Sequence, residues 1–159
     1  MAIDLFRVDE RLIHGQVAIG WGSQLRPERY IVVDDALAHS DWEQELYRLG
    51  AGGAEVLFTD VDSARAHLEE WEADPRRTIL LTRDIDTMTR LGEEGRLSGR
   101  EVNLGGIHYE PGRKEVLPYL FLTEHDREEL RHLAEEGAEI SARDLPDAHR
   151  VSLKQLLAR

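Results

Sequence analysis

Ile3-Asp4-Leu5-Phe6-Arg7-Val8-Asp9-Glu10-Arg11-Leu12-Ile13-His14-Gly15-Gln16-Val17 passes from a largely apolar run, through a charged loop, into helical spacing. The first six residues read as a strand, and from Gly15 to Leu25 the spacing puts Val17, Trp21 and Leu25 on one helical face. A strand feeding a helix through a short polar loop is the opening of a βα unit.

The same alternation recurs downstream. Further strands are expected at Tyr30–Asp34, Glu55–Thr59, Thr78–Thr82, Glu101–Leu104 and Ala138–Ala142. Runs such as Ile31-Val32-Val33 and Ile79-Leu80-Leu81 are near-continuously apolar, as in strands covered on both faces by helices. Helical stripes lie between them: Ala38, Trp42, Leu46 and Leu49, ended by Gly50; Val61, Ala64, Leu68 and Trp71; and Ile85, Met88 and Leu91. Thr123, followed three residues on by Asp126, reads as the capping box of a fourth helix. Val116 to Leu122, between the Pro111-Gly112 turn and that helix, reads as a short hairpin or irregular excursion. The expectation is one α/β domain over 1–159 with a mostly parallel sheet.

Bulk properties narrow the class. The 159 residues carry a formal net charge of −12, which disfavours nucleic acid as a partner. A local anion site remains allowed, because salt screens charges beyond about 8–10 Å. There are no cysteines, hence no disulfide framework and no thiolate metal site. The seven-residue apolar run Val116–Leu122 falls well short of the ~20 needed to cross a bilayer. The acid in Met1-Ala2-Ile3-Asp4-Leu5 does not suit a secretory signal, so a cytoplasmic location is expected.

The loop after the first strand concentrates the chemistry, and open α/β sheets bind ligands at that end of a strand. It holds His14, Arg7, Arg11, Asp9 and Glu10. A neutral imidazole at a helix start is a nucleophile near pH 7. Helix amides and arginine forks suit phosphoryl oxygens, and Gly15 allows close backbone approach. Phosphoryl transfer depends mainly on positioning and charge neutralisation. Composition alone leaves this open: the run Arg7 to Arg11 sums to zero formal charge, and loop histidines are commonly surface residues.

Arg7-Val8-Asp9-Glu10-Arg11-Leu12-Ile13-His14-Gly15-Gln16-Val17 resembles the active-site signature of the IIB subunits of the mannose/fructose/sorbose class of bacterial sugar phosphotransferase systems. That signature usually reads Arg-Ile/Val-Asp-Asp-Arg-Leu-Ile-His-Gly-Gln-Val. Trp21, Ile31-Val32-Val33-Asp34-Asp35, Val102-Asn103-Leu104-Gly105-Gly106-Ile107 and the Gly137 to Pro146 segment extend the resemblance along the chain. It implies a three-layer α/β/α fold of about six strands in the order 3-2-4-1-5-6.

The resemblance also implies that His14 is the phosphorylated nucleophile, on Nδ1. It would accept from a IIA phosphohistidine and donate to a sugar entering through a separate IIC/IID membrane permease. Arg7, Arg11, Asp9, Gly15 and Gln16 would form the phosphate-binding loop, with Asp9 orienting rather than acting as a base. No cofactor and no metal are implied. The turns after Thr82 and Leu104 would flank His14. There Gly105 and Gly106 either leave room for phosphate or simply make a tight turn, and Thr82 is either a hydroxyl near the phosphate or an ordinary strand end. Glu10 departs from the usual second aspartate and receives no role. Arg83 stands where many members have asparagine or lysine, and is read as touching phosphate or as a solvated helix-start residue.

Other readings fare worse. Asp34-Asp35 resembles a Mg²⁺ site but is served as well by helix capping. His125 and His132 are seven apart on a charged helix, a solvated face rather than a zinc pair. His108-Tyr109 reads as surface loop. No nucleotide or dinucleotide motif occurs. The competing function is a regulatory phosphoacceptor that uses the same His14 without phosphorylating sugar. The sugar is not legible, and the oligomeric state is open, a homo-oligomer included.

Overall fold

The computed structural model describes residues 3–159. Its strands are β1 (Ile3–Val8), β2 (Arg29–Val33), β3 (Glu55–Thr59), β4 (Thr78–Thr82), β5 (Glu101–Leu104), β6 (Lys114–Leu117), β7 (Leu120–Leu122), β8 (Glu139–Ala142) and β9 (Val151–Ser152). Its α-helices are α1 (Gly22–Leu25), α2 (Asp41–Leu49), α3 (Val61–Ala73), α4 (Ile85–Gly92), α5 (Glu124–Glu135) and α6 (Leu153–Leu157). Seven strands form one sheet in the order β3-β2-β4-β1-β5-β8-β9, parallel except where β9 joins β8. The expected six-strand order is present. The seventh strand, only two residues long, was not anticipated.

Alternation along the strands sorts side chains between two layers, because successive residues point to opposite faces. Phe6, Val8, Ile31, Val33 and Leu80 join one core with Ala64, Met88 and Leu130 of α3, α4 and α5. Tyr30, Val32, Ile79 and Leu81 join the other with Leu12, Val17, Trp21 and Leu37. The α3 stripe is buried as its spacing predicts, Asp60 caps that helix, and Thr123 and Asp126 form the reciprocal capping box of α5.

Three local expectations need correction. The stretch Ala38 to Leu49 is not one helix: Leu37–His39 is a 3₁₀ turn tied by Asp34 and Gln44, and α2 starts at Asp41. In that setting Leu37 takes the core position, while Trp42, Leu46 and Leu49 are 69%, 58% and 84% exposed. Secondly, Gln16–Trp21 is a π-helical turn leading into the short α1, not a regular α-helix. Widened turns of this kind recur at functional sites. Thirdly, Lys114–Leu117 and Leu120–Leu122 pair antiparallel, which settles the Val116–Leu122 ambiguity as a hairpin.

Register brings the site together. Val8, at the end of β1, lies level with Thr82 of β4 and Leu104 of β5. The chain after Val8 is held on both sides, since Asp9 N donates to Thr82 O and Glu10 N to Gly106 O, each at 2.9 Å.

Candidate active site

Strand alternation sends the Arg7 side chain to the Trp21 face, where burial would strand a lone cation. Its guanidinium is fully buried and every donor is used. Nε and Nη2 donate to Asp9 Oδ2 at 3.2 and 3.0 Å, Nη1 donates to Asn103 Oδ1 and to Arg143 O, and Nη2 also donates to Asp144 O. Desolvation pulls the Arg7 pKa below its ordinary value, and Asp9 opposes that pull. The Trp21 ring lies 5.4 and 5.0 Å from the guanidinium carbons of Arg7 and Arg143, and its Nε1 donates to Asp144 O. Arg7 thus fastens β1 to β5 and to the loop after β8.

Asp9 is the centre of the loop. Its Oδ2 takes Arg7, while Oδ1 accepts from the Arg11 backbone amide at 3.1 Å. Leu12 folds back with its amide on Asp9 O and adopts a left-handed φ of 54°, buried completely. That turn places the His14 ring, 14% exposed, over the loop: Nδ1 lies 2.9 Å from Leu12 O and Nε2 lies 3.8 Å from Asp9 Oδ2. A carbonyl oxygen only accepts, so in this arrangement Nδ1 carries the hydrogen. His14 O then receives the amides of Val17 and Ala18 as the helix begins.

The two arginines therefore occupy different settings. Arg11 is exposed, and its guanidinium donates to Gln16 Oε1 at 3.1 Å, its one hydrogen bond to a side chain among the described residues. It lines a shallow cleft of about 310 Å³ with Gly106, His108 and Tyr119.

The remaining residues named from the sequence fall as follows. A Cβ at Gly105 would lie 2.3 Å from Arg7 Nη2 and 2.7 Å from Asp9 Oδ2, so that glycine makes room for the buried ion pair. At Gly106 the nearest atom among the described residues would be 3.8 Å away, and at Gly15 none of them lies within 4 Å. Gly20 and Gly22 are packing glycines, against Leu145 and Tyr30. The Thr82 hydroxyl donates to Asp84 O, and Arg83 leans toward Asp34 at 3.7 Å. Asp34 and Asp35 accept from the amides of Leu37 and Val61. Glu10, left without a role, accepts from the His108 amide and pairs with the His108 ring and Arg113. Burial raises its pKa, and the His108 and Arg113 contacts outweigh that, leaving it below the ordinary 4.5.

Asn103 and the Arg143-Asp144 carbonyls are parts of the site that residue-by-residue reading missed. A signal for Asn103 was present: a polar residue inside an otherwise apolar strand.

A profile for the PTS system sorbose subfamily IIB component matches residues 3–159. The chain belongs to that family. It is 28% identical over 144 residues to the N-acetylgalactosamine-specific phosphotransferase enzyme IIB component 1 of Escherichia coli K12, covering 89% of this chain and 90% of that one. It is 30% identical over 161 residues to the mannose-specific EIIAB component of the same organism, covering all of this chain but only 49% of that longer protein. The crystal structure of the IIBSor domain of the sorbose permease from Klebsiella pneumoniae superimposes with a TM-score of 0.87 at 24% identity, covering 99% and 98% of the two chains, a likeness of fold. As a sorbose-subfamily IIB component, the chain has a general role in phosphotransfer. No helix among the described residues is long and apolar enough to cross a membrane.

Proposed function

We propose that this IIB chain accepts a phosphoryl group on His14 from a IIA phosphohistidine and passes it to a sugar entering through a separate membrane permease. The observation carrying this reading is the His14 ring, held after the carboxyl end of β1 between a backbone carbonyl and a carboxylate, on the loop that also carries the exposed Arg11. The fusion named in the mannose-specific EIIAB relative supports a IIA partner. The work would be done at the cytoplasmic face of the permease.

The acceptor atom is Nδ1. A phosphoryl dianion on Nε2 would sit against the Asp9 carboxylate, and like charges at that range oppose one another. Transfer begins when the ring leaves Leu12 O and its hydrogen passes to Nε2, where Asp9 can receive it. The Nδ1 lone pair then attacks phosphorus while the donor's P–N bond breaks. Arg11, steadied by Gln16, and the helix-start amides take up phosphoryl charge. Arg7, with every donor committed, braces the loop and does not touch phosphate.

The test is incubation with phosphorylated IIA, followed by peptide mapping and ¹⁵N NMR of the adduct. An acid-labile, base-stable phosphoryl group on Nδ1 of His14 is expected. A phosphoryl group on another histidine, or none from a competent donor, overturns the assignment. Reconstitution with the cognate permease then identifies the sugar, and phosphorylation without any sugar product would favour the regulatory reading.

A further inference from the structure

Helices α4 and α5 share the face of the sheet opposite Trp21, and both start at the strand ends that carry His14, since α4 follows β4 and α5 leads back into β8. Where their first turns meet, Asp86 of α4 and His125 and Glu129 of α5 converge. Their ligand-type atoms all lie within 4.8 Å of one another. They line a cleft of about 340 Å³.

Ion pairing along α5 accounts for His125 and Glu129, one turn apart, but not for Asp86, which comes from the other helix. Asp86 and Glu129 come from different helices, and carboxylates held this close repel unless a proton or a cation lies between them. Arg90, one turn along α4 from Asp86, commits its guanidinium to Asp35 at 3.0 Å. Glu129 Oε1 is shut off from solvent and makes no hydrogen bond of normal geometry among the described residues. What faces it is the His125 ring, through Nε2.

We propose that Asp86, His125 and Glu129 bind a divalent transition-metal ion of the zinc class that ties α4 to α5, apart from the phosphoryl site. The imidazole selects the class, because Mg²⁺ and Ca²⁺ take oxygen ligands whereas Zn²⁺ takes nitrogen and carboxylate together. Zinc bonds of about 2.0–2.2 Å put the ligands of a tetrahedron roughly 3.3–3.5 Å apart. Asp86 therefore closes on the other two by about an ångström, while His125 and Glu129, already in contact, part by about as much to admit the ion, which the exposed Asp86 and His125 can do, and water completes the fourth position. His132 stays outside, paired with Glu136 at 2.9 Å. The ion would fix the start of α4, hence the Thr82–Asp84 turn on which Asp9 leans.

The experiment is calorimetric titration of the EDTA-stripped chain with ZnCl₂, with His14→Ala included to remove the loop histidine as a competitor. One Zn²⁺ per chain is expected in wild type, His14→Ala and His132→Ala, with affinity at least tenfold weaker in His125→Ala and in Asp86→Asn. MgCl₂ should not compete. At 100-fold over Kd the thermal midpoint should rise by roughly 5–10 °C. No stoichiometric binding, binding that survives His125→Ala intact, or binding lost in His14→Ala overturns the proposal. The readout is metal binding, so its result is independent of whether phosphoryl transfer is found.

Discussion

Replacing Gly105 by alanine puts one methyl group into the most densely bonded part of the molecule. The new Cβ would lie 2.3 Å from Arg7 Nη2, 2.4 Å from Arg7 Cζ and 2.7 Å from Asp9 Oδ2. Neither Gly105 nor Gly106 has a left-handed φ, so the cost is steric and not conformational. Arg7 has no free direction in which to retreat, being fully buried and bonded through all its donors. Overpacking alone costs about 1–3 kcal/mol, and each hydrogen bond to a charged group that breaks costs about 1.5–3. A loss of about 2–4 kcal/mol follows, or a fall of roughly 5–15 °C in midpoint for a chain of this size. Gly106→Ala is the control: its Cβ would meet nothing nearer than 3.8 Å, so it should change stability by less than about 0.5 kcal/mol. Urea unfolding followed by tryptophan fluorescence and far-UV circular dichroism reads both. A Gly105→Ala protein as stable as wild type, or a Gly106→Ala protein equally damaged, would refute the rigidity claimed for the Arg7–Asp9 pair.

Arg11→Lys keeps the charge but loses the fork, so transfer from phosphorylated IIA should slow about 5- to 30-fold, and Arg11→Gln should slow it further, both with unchanged melting because the side chain is exposed. Full activity in Arg11→Gln removes Arg11 from the site. Glu10 has a depressed folded pKa, so its contribution to stability is complete above pH 4.5 and is lost as pH falls toward the folded value. The stability gap between wild type and Glu10→Gln should therefore shrink on acidification, and a gap that widens below pH 4.5 would refute the Glu10–His108–Arg113 pairing.

The parallel core was legible because each strand is a compact apolar run and each crossover helix carries a long-period stripe. β9 was not, since Val151-Ser152 is too short to hold any periodicity and exists through its pairing with β8. The α2 stripe misled for the opposite reason: the spacing is truly helical, but Asp34 and Gln44 hold a 3₁₀ turn ahead of the helix and give the inward position to Leu37. At the candidate site, His14 and its loop could be named from the residues only with the help of the family resemblance. The different settings of Arg7 and Arg11 could not, because the burial of Arg7 depends on Asn103 and two carbonyls 96, 136 and 137 positions away in sequence. The same holds for Asp86, whose proximity to His125 arises only when α4 and α5 meet.

The two sides of the sheet are finished differently. At one end the two-residue β9 offers too little backbone to template another strand. At the other, β3 pairs with β2 alone among the described residues, with Leu57 37% exposed and Arg48 of α2 lying over Phe58. A ribbon that is adhesive along a single border can join one other copy and no more. Strand addition to this sheet would therefore join two chains at most, because only the β3 border is long enough to accept a further strand.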